Sequence, residues 1–214
     1  MKNQEQEKTG CWRLQFVVDW TLLTAVAWVL FSPLVVVGGD LGGDDLWTPP
    51  EGVGRQLLLY GAIALIIGGF QSVGLRGVLE RARWWVIATV GGTVLGVVAA
   101  FLWGRESWPE IMIWIGVPVA LLQGLVLRPL VGSEWLGWLL KPLLLLLAAI
   151  PGFVLGFLVS VLATDALGNT SLVGSMVGFM LLFMPTGLFF GLLTGLLLVY
   201  LLDRGATSGK VGRP

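Results

Sequence analysis

Two glutamines, Gln71 and Gln123, carry the most distinctive chemistry in this chain: each is a primary amide inside an apolar run, five residues before an arginine, Arg76 or Arg128. An amide in hydrocarbon must find hydrogen-bond partners, and bonds between helices there contribute about 0.6 to 2 kcal/mol. Thr194 stands at the corresponding place in a later run. The three residues are therefore expected to provide interhelical polar packing; the alternative is a polar ring that binds a substrate or a lipid headgroup. Asp19 is the one acid drawn into an apolar run, and a carboxylate in the membrane is a functional candidate by default. Its neighbour Trp20 places it near a boundary, so an interfacial ion pair of Asp19 with Arg13 and Lys141 is expected, ahead of a proton or cation site. Lys141 is expected to snorkel toward the headgroups.

Other chemistries are closed by composition. The chain has no histidine and a single cysteine, Cys11. Imidazole metal sites, bis-His haem, Ser-His and Cys-His nucleophile pairs and any internal disulfide are thereby excluded. No cofactor, metal site or catalytic residue is expected, and the chain reads as a non-enzyme. Asp40, Asp44 and Asp45 miss the spacing of a calcium loop. Met176, Met180 and Met184 form a helical stripe without a soft-metal companion, and a lipid-facing or packing surface is the expected role. Thirteen basic and thirteen acidic residues balance to zero, which argues against nucleic acid as a partner.

These polar residues must be positioned by apolar elements. Of the 214 residues 56% are hydrophobic, only 12% are charged, and the mean hydropathy is +0.88. Runs at about 17-38, 57-75, 85-103, 111-130, 139-163 and 174-202 are each long enough to cross about 30 Å of hydrocarbon as a helix. With a cytoplasmic N-terminus, Lys2, Lys8, Arg13, Arg76, Arg81, Arg83, Arg128, Lys141, Arg204, Lys210 and Arg213 fall inside, leaving Arg55 and Arg105 outside. That asymmetry predicts both termini in the cytoplasm. Residues 1-13 and 205-214 read as cytoplasmic tails, the first polar and mobile, around a bundle over 14-204. The first run is longer than the apolar core of a signal peptide and is expected to remain as an anchor. Tryptophans cluster at the predicted membrane edges: Trp12, Trp20, Trp84, Trp85, Trp135 and Trp138 on the cytoplasmic side, Trp47, Trp103, Trp108 and Trp114 on the other. Indoles favour headgroup depth, so these side chains are expected at the interface.

Glycine recurs at four-residue spacing within the runs: Gly92 and Gly96, Gly152 and Gly156, and Gly187, Gly191 and Gly195. Such faces let helix backbones approach closely. Packing within the chain is the expected use, and self-association is the alternative. Pro118, Pro142, Pro151 and Pro185 are expected to interrupt, kink or begin helices.

The even-numbered runs end in related phrases, GGFQSVGLR and ALLQGLVLR, with GLLTGLLLVYLLDR as a divergent third. The first two lead into tryptophan, Trp84 and Trp85 or Trp135 and Trp138, and the following runs share Val-Leu-Gly at Val94 to Gly96 and Val154 to Gly156. The fold class expected is an all-α membrane protein: six transmembrane helices as three hairpins repeated in parallel orientation. On these phrases the chain resembles a family of small, glycine-rich, multi-pass bacterial membrane proteins in which G-x-x-Q-W-x-x-L-R and a following Trp-led helix recur. The resemblance covers about residues 60-204, with Ser72 and Gly124 where the family tends to have Trp. It implies the hairpin architecture and a bacterial cytoplasmic membrane, and assigns no activity. The functional expectation is a structural, assembly or accessory subunit whose partners are the lipid bilayer and other membrane subunits or itself. A small transporter, channel or lipid-handling protein is the alternative.

Overall fold

The computed structural model describes residues 2–40, 52–80, 82–104, 108–167 and 172–207. Six α-helices lie among them: α1 (Lys2–Asp40), α2 (Val53–Gly74), α3 (Arg83–Leu102), α4 (Trp108–Val131), α5 (Lys141–Leu167) and α6 (Leu172–Thr207). A 3-10 helix, Gly132–Leu140, joins α4 to α5. No strand occurs among the described residues. The side chains of Asp40 and Met176, together with Trp47, Asp44, Asp45 and most of the acidic segment 39-55, lie outside what is described.

Apolar content dictates these elements. Five stretches are long and apolar enough to cross a membrane: Cys11–Leu30, Val53–Gly74, Arg83–Leu102, Ile113–Leu162 and Met180–Gly205. This is compatible with a multi-pass integral membrane protein, in which a helix satisfies its own backbone donors and acceptors. The fourth stretch, 50 residues long, runs through α4, the 3-10 helix and α5 and includes Arg128, Ser133, Glu134 and Lys141 around the 3-10 helix. Gly132, at φ +60°, marks the end of α4 inside it.

Two local expectations are refined. The N-terminal residues form helix from Lys2, because Gln, Glu and Lys are good helix formers that extend an apolar helix already nucleated. The helices also run on through Pro118, Pro151 and Pro185. Pro142 lies in the first turn of α5, where a missing N–H costs nothing.

The helices pack as neighbours in chain order, α1 on α2, α2 on α3, α3 on α4 and α5 on α6, and α6 returns to α1 to close the ring. The 3-10 helix fills the corner between α4, α5 and α6. Close approach comes from the recurrent glycines. A Cβ on Gly92 would lie 2.5 Å from Val119 Cα, and one on Gly96 would overlap Ile115, both in α4. Gly152 and Gly156 lie in the same way on Thr186 and Leu182 of α6, while Gly187, Gly191 and Gly195 lie on Trp28, Thr21 and Trp20 of α1. The principal core gathers at the end of the bundle where α1 begins and α6 finishes, around Trp20, Leu75, Trp85, Leu127, Trp138 and Leu201. A smaller cluster around Tyr60, Val97 and Ile111 serves the opposite end.

Candidate functional site

Chemistry concentrates in the principal core. Trp20 and Thr24 lie one turn apart on α1, and Trp85 and Thr89 repeat that spacing on α3. Residues four apart share a helix face, so each indole travels with a hydroxyl. Trp138 lies in the last turn of the 3-10 helix, and Lys141 is the first residue of α5. Gln71, Gln123 and Thr194 face them from α2, α4 and α6, and all three are fully buried, as are Trp20, Trp85 and Trp138.

Every indole in this group donates to one of these polar residues. Trp85 Nε1 donates to Gln71 Oε1 at 3.1 Å, Trp138 Nε1 to Gln123 Oε1 at 3.2 Å, and Trp20 Nε1 to Thr194 Oγ1 at 3.0 Å. The amide nitrogens reach back to the preceding odd-numbered helix: Gln71 Nε2 donates to Thr24 Oγ1 at 3.4 Å and Gln123 Nε2 to Thr89 Oγ1 at 2.8 Å. Thr194 has no second arm. Its hydroxyl donates to the carbonyl of Phe190 in its own helix. The rings pack edge to face, Trp20 with Trp85 at 5.8 Å and Trp85 with Trp138 at 5.6 Å, an arrangement that ring quadrupoles favour.

Lys141 enters the middle of this cluster. Its side chain is 7% exposed. Nζ donates to Gln123 Oε1 and lies 5.3 Å from the Trp138 ring, 5.7 Å from Trp85 and 5.8 Å from Phe190. Aromatic faces attract a cation most strongly when it is desolvated. The expected interfacial ion pair of Asp19, Arg13 and Lys141 does not form. Arg13 Nη2 pairs with Asp203 Oδ1 at 2.9 Å, because α6 returns antiparallel to α1 and brings its last acid level with Arg13. Asp19 is exposed on α1 and Lys141 turns inward rather than snorkelling.

The tryptophan expectation also divides. Trp12 and Trp84 are exposed, as interfacial residues would be, whereas Trp20, Trp85 and Trp138 are turned into the bundle. The inward indoles, Thr24, Thr89 and Phe190 were not singled out as site residues by sequence reasoning. The Trp-x-x-x-Thr spacing at Trp20 and Trp85 was the available signal. Chemically, the cluster can hold an ammonium and join helices by directed bonds. It brings no carboxylate or nucleophile pair to one place among the described residues.

No protein-family model matches this chain, and neither a curated protein nor a solved structure is significantly similar to it.

Proposed function

We propose that the chain is a non-catalytic integral membrane protein, a structural, assembly or accessory subunit of a bacterial cytoplasmic membrane. In this reading α1 to α6 are six spans, paired as three parallel hairpins with both termini cytoplasmic. The recurring bond from an indole to a polar residue of an even-numbered helix supports the repeat. Arg13, Arg76, Arg83, Arg128 and Arg204, at the end of the bundle where α1 begins and α6 finishes, support the orientation.

One observation carries the functional reading: the two amides, Thr194 and Lys141 bond partners inside the bundle instead of lining a passage. A transport site needs polar groups available near the midplane. Here Gln71, Gln123, Thr194 and Lys141 are occupied by partners in the same chain. The recurrent glycines likewise lie on neighbouring helices of the same chain, so contacts with other subunits fall on the outer apolar faces.

Mild-detergent purification followed by native mass spectrometry tests the proposal. Stoichiometric foreign subunits are the expected result. A solitary particle that moves solute across liposome membranes would replace this reading with transport.

A further inference from the structure

The corner between α4 and the 3-10 helix contains a groove of about 360 Å³, lined by Arg128, Gly132, Ser133, Trp135 and Leu136. Arg128 stands in the last turn of α4, and the reversal at Gly132 brings Ser133 and Trp135 back beside it. The guanidinium, the Ser133 hydroxyl and the Trp135 indole can all donate hydrogen bonds. None has an acceptor among the described residues, and Arg128 makes no ion pair there. The nearby Trp138 differs, since its indole N–H is matched to Gln123. The lining also lacks a carboxylate or a side-chain amide. A positively charged set of donors without acceptors is complementary to an anion with several oxygens.

We propose that this groove holds the phosphate of an anionic phospholipid. The lipid is favoured over free phosphate because Val117, Leu121 and Leu125 extend from Arg128 along α4 at four-residue spacing, each exposed. That apolar stripe fits an acyl chain beneath the bound headgroup, and free phosphate would gain nothing from it. Basic pockets at helix ends recognise anionic headgroups by the same charge matching. The inference rests on the reading of this bundle as membrane-embedded.

The test is native mass spectrometry of the full chain released from micelles containing phosphatidylglycerol or diacylglycerol, which keeps the acyl chains and lacks the phosphate. Phosphatidylglycerol should be retained roughly tenfold better, the scale of one charge-assisted hydrogen bond. Arg128→Gln should abolish that preference. Trp135→Phe, which keeps the ring and removes the N–H, should reduce it about threefold. Arg76→Gln, on another helix at the same end of the bundle, should leave it unchanged.

Equal retention of the two lipids would overturn the proposal, as would equal losses from Arg76→Gln and Arg128→Gln, which would mean diffuse charge attraction. Displacement of phosphatidylglycerol by millimolar inorganic phosphate would make the groove a free-phosphate site and also overturn it. Recovery of the chain from washed membranes without detergent would instead bring down the membrane reading itself.

Discussion

Gln71 and Thr194 accept the same kind of indole N–H, yet they join different numbers of helices. The Gln71 amide accepts from Trp85 on α3 and donates to Thr24 on α1, so one side chain of α2 ties both neighbours. Thr194 accepts from Trp20 on α1, and its donor turns back to Phe190 in α6 itself. A hydroxyl is too short for two helices. The α6–α1 closure compensates with close backbone approach, through Gly187, Gly191 and Gly195 against Trp28, Thr21 and Trp20. The α5 side differs as well: where α1 and α3 offer Thr24 and Thr89, α5 begins with Lys141, which bonds Gln123. An amide strut and a glycine seam are thus alternative solutions to joining neighbouring helices, one directional and the other steric.

The most severe way to break this pattern is Gln123→Leu. The substitution leaves the Trp138 N–H and the Lys141 amine buried without their acceptor, and each buried donor left unsatisfied costs about 1 to 3 kcal/mol. Denaturant unfolding in mixed micelles should register that loss. Adding Lys141→Met removes the stranded amine, so the double variant should recover about 1 to 3 kcal/mol relative to additivity. Strict additivity would mean that Lys141 does not depend on Gln123.

The all-helical, apolar character of the chain was legible because its signals are one-dimensional. Apolar length marks a helix capable of spanning, and the four-residue glycine spacing marks a face. The site was only half legible. Gln71 and Gln123 stood out because an amide is rare within an apolar run, but nothing local distinguishes an indole directed at lipid headgroups from one directed inward. Trp84 and Trp85 are adjacent, yet one is exposed and the other buried. Helical phase, fixed by packing against α2, decides between them. The same limit explains Lys141. Its position at a helix start suggested snorkelling, whereas its environment depends on Trp85, Trp138 and Phe190 from three other elements. Arg13 could choose Asp203 over Asp19 only once α6 had returned beside α1.

Gln71→Leu sharpens the comparison without involving a charge. It strands the Trp85 N–H and removes the donor to Thr24, with an expected cost of about 1 to 3 kcal/mol. Trp85→Phe, which removes the N–H but leaves an aromatic ring, should lose less when combined with Gln71→Leu than on its own, because the bond is already absent. Unfolding of the two single variants and the double variant under the same conditions measures that coupling.

Thr194→Val should have the smallest effect, for reasons that separate the two kinds of joint. Valine preserves the branched shape of threonine, so the close passage of α6 along α1 at Gly191 and Gly195 is undisturbed. The substitution removes the acceptor of Trp20 and a bond within α6 that holds no other helix. The stranded Trp20 N–H sets an expected cost of about 1 to 2 kcal/mol, below that of Gln71→Leu, which also removes the donor to Thr24, under identical unfolding conditions. Gly191→Leu supplies the opposite probe, since even a Cβ there would lie 2.9 Å from Thr21 Cα, and the larger side chain must push the helices apart while leaving Thr194 in place. A Thr194→Val loss equal to that of Gln71→Leu, with Gly191→Leu tolerated, would mean that the hydroxyl closes the ring and that the glycine seam does not.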